Sequence, residues 1–307
     1  MSATISLLTA CSDDSENTTE QGEIRLKTDI WQMMEGSRAT TFDNATALQG
    51  EAHFTCAAYE AGTLTPYIAT TTVDWSTTNT QWEFNGGASH YYWPLPATPG
   101  GAYPSLDFFG YMPATPPAYI SDLTYTADHN VTFTCSSLPM TNTGQGSSLK
   151  EFIYGRALGQ NKGNASSGVP LVFQHPFTKI KMQLKEGHPA ITINKITFKT
   201  IKNNGSYSHS GGWSPSGDAT DLVLTLDQAF AYDVAAQEIG TYIMIPQEWE
   251  GNIEVEATWT DWGEQLKHAL STKVSTVTWA AGTCYTYTFD ITETDLIVNT
   301  DKFTEQW

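Results

Sequence analysis

The chain has 307 residues, with 15 Lys plus Arg against 33 Asp plus Glu, for a formal net charge of −18. An acidic surface with no basic tract repels a phosphate backbone, which argues against nucleic-acid binding. A hydrophobic fraction of 40% with 12% aromatic residues excludes a disordered acidic chain, and no run approaches the ~20 apolar residues of a membrane-spanning helix.

At roughly 150 residues per domain, the length leaves two cores to fill. The first feature along the chain is Cys11. It follows Leu8-Thr9-Ala10 and the short apolar run Ile5-Ser6-Leu7-Leu8, and small residues directly before a cysteine look like a bacterial lipobox. In that reading a signal peptide is cut before Cys11 and the new N-terminal cysteine is acylated, which anchors a protein to a membrane without spanning it. Only ten residues precede Cys11 and none is Lys or Arg, so the start reads as truncated. Ser12-Asp13-Asp14-Ser15-Glu16-Asn17-Thr18-Thr19-Glu20 contains no apolar residue and is expected to be a flexible tether. A generic solvated linker predicts the same flexibility, but an acidic run directly after the cysteine resembles the surface-export signal of Bacteroidetes lipoproteins. Residues 1–22 are therefore read as signal and tether.

Beyond the tether, period-two alternation recurs. Residues 23–30 place Ile24, Leu26 and Ile30 on one face of a first strand. Phe54, Cys56 and Ala58 alternate, as do Val131, Phe133 and Cys135; Ile180, Met182 and Leu184; Ile191 and Ile193; and Leu222, Leu224 and Leu226. In 251–260, Ile253, Val255, Ala257 and Trp259 oppose Glu254 and Glu256, and Tyr285, Tyr287, Phe289 and Ile291 form a further stripe. Asp227 to Gly240 reads as either a short helix, capped by Asp227 and stopped by Gly240, or a loop. Turn signals such as Asn85-Gly86-Gly87 and Pro215-Ser216-Gly217 punctuate the runs. Many short strands between frequent turns predict an all-β chain of β-sandwiches. The polar Gly/Ser-rich stretch 159–168 is the best domain boundary, giving sandwiches over 23–162 and 163–307.

The chemistry-bearing residues form no catalytic pattern. Seven histidines, His53, His90, His129, His175, His188, His209 and His268, contain no HExxH or His-x-His spacing and read as surface or loop residues. No GxSxG elbow or phosphate loop occurs. Asp261-Trp262-Gly263-Glu264 is the most suggestive acidic cluster and reads as a turn. No enzyme activity, metal or cofactor is expected. Residues 89–96 hold Tyr91, Tyr92 and Trp93, which would stack on a sugar ring if exposed and belong to a core if buried. Cys56 and Cys135 either pair or are small buried residues.

Four phrases, in order, resemble the fimbrillin family of Bacteroidetes surface lipoproteins, the major and minor subunits of type V pili. They are Asp107-Phe108-Phe109-Gly110-Tyr111-Met112-Pro113, the run from His175-Pro176-Phe177 to Leu184, Tyr242-Ile243-Met244-Ile245-Pro246-Gln247, and Trp279-Ala280-Ala281-Gly282-Thr283-Cys284-Tyr285. With the lipobox they cover nearly the whole chain. The resemblance implies two tandem transthyretin-like β-sandwiches and a lipoprotein precursor at the cell surface or outer membrane. It also implies a protease that cuts after a basic residue, loss of the first strand, and a groove that accepts a strand from a neighbouring pilin subunit.

On this sequence the cut matches Arg38, in the polar stretch Gly36-Ser37-Arg38-Ala39-Thr40, which otherwise reads as a surface loop. Ile24, Leu26 and Ile30 fall in the strand that would be lost. The donor strand falls in the tail, with Leu296 and Val298 on one face and Phe303 and Trp307 on the opposite parity. An uncut chain would instead be an anchor or a free, lipid-held surface adhesin or glycan-binding protein with a host or bacterial surface ligand.

Overall fold

The computed structural model describes residues 21–30, 45–143, 149–186, 191–230, 236–292 and 294–306. In chain order the first strands are β1 (Leu26–Ile30), β2 (His53–Glu60), β3 (Pro66–Ser76), β4 (Gln81–Phe84), β5 (Leu106–Met112), β6 (Ile120–Tyr125), β7 (Val131–Cys135), β8 (Thr141–Thr143), β9 (Ile153–Gln160) and β10 (Val169–Gln174). They are followed by β11 (Thr178–Glu186), β12 (Ile191–Ser208), β13 (Gly212–Phe230), β14 (Gln237–Met244), β15 (Glu248–Asp261), β16 (Glu264–Thr278), β17 (Thr283–Ile291) and β18 (Leu296–Gln306). A short helix, α1 (Ala45–Gly50), lies between β1 and β2. The chain is all-β, as its alternation predicts.

The first core is a closed barrel in the order β1-β10-β9-β5-β2-β3-β4. The inward stripe Phe54, Cys56 and Ala58 joins Phe108, Leu171 and Phe173 in it, and Phe54 meets Trp82 and Phe173 edge-on at 4.8 and 5.5 Å. Gly110 on β5 and Gly155 on β9 stand opposite each other in register. A Cβ on Gly110 would lie 2.9 Å from Leu171 Cδ2, and one on Gly155 3.0 Å from the Val172 carbonyl oxygen. These bare positions let β10 settle against the barrel wall.

The second core lies between two open sheets, β14-β11-β17-β18 and β16-β15-β12-β13-β8. Ile180, Met182 and Leu184 of β11 and the Tyr285–Ile291 stripe of β17 meet Ile253, Val255, Ala257 and Trp259 of β15 in one apolar cluster. Glu254 and Glu256 point away from it, into ion pairs with Lys199 and Lys195. The described part of Asp227–Gly240 is strand, not helix. β13 runs through Gln228, Ala229 and Phe230 in register with Ile193, Thr192 and Ile191, and burial of Phe230 in the core outweighs the cap-like Asp227.

The Gly/Ser-rich stretch 159–168 leads from β9 into β10, and these two strands are antiparallel neighbours within the barrel. The passage between cores is made differently. β7 pairs with the far end of β12, β6 pairs with β7, and β8 pairs with β13, so strands from the first half of the sequence join the second sheet system. A third apolar cluster sits there, uniting Phe109, Phe152 and Tyr154 of the barrel region with Phe133, Phe177 and Tyr207. Cys56 and Cys135 are buried in different clusters and do not pair; burial pushes both thiols up to about 12.

A polar network crosses this junction. Arg156 on β9 donates to the His129 carbonyl oxygen and to His209 Nε2. With Nε2 accepting, His209 Nδ1 carries the proton and faces Tyr154 Oη at 2.8 Å, and Tyr154 in turn lies 2.7 Å from Tyr207 Oη. Burial, and then the Arg156 charge, hold His209 below the usual histidine range. The unfolded chain therefore binds this proton more readily than the folded one as pH falls below about 6.5, and the network's contribution is lost on acidification through that window. We expect the difference in denaturation midpoint between pH 7.5 and pH 5.5 to shrink in His209→Gln. An unchanged pH difference in that variant would remove His209 from the account.

Candidate assembly groove

The residues around β1 form the candidate site. β1 runs parallel to β10 from Leu26↔Val169 to Ile30↔Phe173 and meets β4 antiparallel at Leu26↔Trp82. It thereby closes the barrel between two strands that come from distant parts of the sequence. The pairing is extended upstream, where Glu23 bridges Tyr92, the Ile24 amide donates to the Tyr91 carbonyl at 2.7 Å and the Trp93 amide to that of Gly22 at 3.0 Å. Ile24 and Leu26 are buried in the barrel core. Each buried aliphatic side chain of this kind contributes roughly 1.5–3 kcal/mol.

One polar contact interrupts the apolar seam: Trp82 Nε1–H donates to Thr28 Oγ1 at 2.8 Å. At the rim, Glu23 pairs with His90 at 2.6 Å and with Arg25 at 3.5 Å. Exposed pairs of this kind contribute little, so β1 is held chiefly by its ladders and its two apolar side chains.

The other predicted site residues are dispersed. Cys11, Arg38 and Trp307 lie outside the described residues. The tail is the edge strand β18, antiparallel to β17 from Ile291↔Leu296 to Thr283↔Gln306. Leu296 is buried and Val298 packs against the second core, while Ile297 is exposed. The register is unbroken from Ile291↔Leu296 to Cys284↔Phe303 and shifts only beyond Phe303, before Thr283↔Gln306. The bend expected near Asp301 therefore falls later, since Asp301 stays in register opposite Thr286.

The aromatic stretch is no sugar platform at Trp93. That ring is 2% exposed and packs edge-on to Phe108, because the strand-like pairing with Gly22–Ile24 turns it into the barrel. Tyr91 packs edge-on to Phe84, and Tyr92 is half-buried, its carbonyl accepting from Tyr67 Oη at 2.6 Å. The fully exposed ring is Trp262, at 103% relative exposure. Asp261-Trp262-Gly263-Glu264 is the tight turn of the β15–β16 hairpin, with φ of 51° at Trp262 and 88° at Gly263.

Sequence reasoning missed two features. Thr28 lay on the predicted strand, but no periodic signal marks a hydroxyl that pairs with an indole in a distant strand. His175, read with the other histidines as a surface or loop residue, is fully buried against Glu151. Among the described residues, no three His, Cys, Asp or Glu side chains converge to hold a metal ion.

The fold and groove define a class: an all-β chain with two main cores, whose first described strand closes one and whose last strand edges the other. Residues 37–307 match the fimbrillin-like family, and the chain belongs to that family. No curated protein matches it. Among solved structures it is similar to a candidate cell adhesion protein from Bacteroides ovatus, at 15% identity with a TM-score of 0.57, covering 94% of this chain and 98% of that one. A candidate cell adhesion protein from Bacteroides uniformis is similar at 13% identity with a TM-score of 0.54, covering 91% and 96%. At these identities the shared property is the fold.

Proposed function

We propose that the chain is a structural subunit of a surface pilus, exported as a lipoprotein through Cys11, cut after Arg38 and assembled by donor-strand exchange with other pilin subunits. The observation that carries this reading is the position of β1. It is the first strand among the described residues, and it fills the gap between β10 and β4. Its removal would leave unpaired backbone groups beside an open apolar core, a site that an extended segment of another subunit fills by adding a strand. The two main cores are then read as a tandem of transthyretin-like units, divided after β10, the first of which opens when β1 leaves. The role is structural, without catalysis or cofactor, and its place is the cell surface, with the outer membrane reached through the lipid.

Limited trypsin digestion of the full-length precursor tests the proposal. Cleavage near Arg38 and a ladder of oligomers that resist detergent are expected. A cut chain that stays monomeric overturns the stalk role. A surface adhesin is the second reading, favoured by Trp262 at its hairpin tip and by the cell-adhesion descriptions of the two similar structures. A cut chain that stays monomeric yet retains surface binding supports it.

A further inference from the structure

We infer that the groove under β1 is keyed by one polar position, and that Leu296-Ile297-Val298-Asn299-Thr300 of a second copy of this chain is the segment that fits the key. The inference rests on the strand-exchange reading above.

The β1 segment offers Ile24, Leu26 and Thr28 at alternate positions. The first two are buried in the core, and the third accepts the Trp82 indole N–H at 2.8 Å. Trp82 is only 6% exposed. A replacement strand without an acceptor at the Thr28 position would leave that donor buried and unsatisfied. The groove therefore requires an alternating apolar, apolar, acceptor sequence.

Between Thr294 and Gln306 one alignment satisfies it, placing Leu296, Val298 and Thr300 at the Ile24, Leu26 and Thr28 positions. Starting two residues earlier puts Val298 under the indole, and starting two later puts Lys302 there. Every alignment of the opposite parity drives Asp295, Asn299 or Asp301 into an apolar position.

The docked tail already uses this face. Leu296 is buried, Val298 and Thr300 are half-buried, and Ile297, Asn299 and Asp301 are exposed. The two locations differ in neighbours. In its own sheet β18 is an edge with one ladder partner, β17, whereas the β1 position is flanked by β10 and β4. Moving into a second copy's groove exchanges an edge position for one laddered to β10 and met by β4 at the Leu26↔Trp82 pair, with the incoming chain parallel to β10.

The test uses the full-length chain, cut with trypsin and followed by detergent gel. Thr300→Val is expected to reduce oligomer yield about tenfold, the effect of one buried donor left without an acceptor. Thr300→Ser is expected to retain the unsubstituted yield. Thr300→Val combined with Trp82→Phe, which removes donor and acceptor together, is expected to recover most of it. Thr300 is half-exposed on an edge strand, and an unchanged unfolding midpoint for Thr300→Val separates assembly from folding. Oligomers that form equally well with Thr300→Val overturn the register while leaving strand exchange standing. Absence of oligomers from the unsubstituted chain overturns both.

Discussion

His175→Leu is expected to lower the free energy of unfolding by up to about 3 kcal/mol, the upper end of the range for removing one partner of a buried hydrogen bond. The His175 and Glu151 side chains have no solvent exposure, and Nδ1 lies 2.8 Å from Oε1. Glu151 precedes β9 and His175 follows β10, so the contact clasps the open end of that hairpin beside Phe152 and Phe177 of the third cluster. The Tyr119 phenol, whose Oη donates to the Lys150 carbonyl, is pushed upward by burial and then by the Glu151 charge. With histidine gone, the Glu151 carboxyl loses this hydrogen bond in a setting closed to solvent. Replacing both residues by Leu removes the pair as a unit and is expected to cost less than His175→Leu alone. Urea denaturation at pH 7 measures both. A double variant as unstable as the single one would show that the residues act separately.

Trp249→Ala is the second large effect, at about 3–5 kcal/mol for loss of a buried indole. Trp249 stacks on Trp279 at 5.2 Å and 17° and lies 5.8 Å from Phe198, and its Nε1–H donates to the Lys199 carbonyl at 2.8 Å. That carbonyl precedes Thr200, whose φ of 61° marks an irregularity in β12, so the indole both fills the core and satisfies a backbone acceptor displaced from the ladder. Gly251 leaves the room: a Cβ there would sit 2.8 Å from the same carbonyl oxygen and 2.9 Å from the indole nitrogen. Trp249→Phe keeps most of the volume and loses the hydrogen bond, and is expected to fall about 1–2 kcal/mol below the unsubstituted chain. Equal midpoints for the Phe and Ala variants would assign the whole effect to the hydrogen bond.

The strands were legible wherever one face is buried and the register unbroken. Ile253, Val255, Ala257 and Trp259 are the clearest case, and all four are buried. β12 was legible only at its start, because bulges between Ile193 and Lys195, Phe198 and Ile201, and Lys202 and Asn204 reset its parity and hide an 18-residue strand. Barrel closure left no local mark, since β1 and β10 are paired by residues far apart in the chain. In the candidate groove Ile24 and Leu26 were readable from alternation, and Leu296 and Val298 likewise. The Trp82–Thr28 bond was not, because a hydroxyl on a strand looks the same whether it meets water or a buried indole. Trp93 was ambiguous for the same reason: an aromatic run does not disclose which side the chain turns inward.

The course of β12 has a mechanical consequence. Its Thr192–Phe198 stretch is laddered to β15, and its Gly205–Ser208 stretch to β7, whose Phe133 sits with Phe109 and Tyr154 of the barrel region. Tension applied between the two cores would run along one continuous backbone flanked by ladders at both ends. Those hydrogen bonds would be loaded together in shear instead of unzipping one at a time. In a filament this would make the subunit's waist a stiff element, and stretching would fall first on the contacts between subunits.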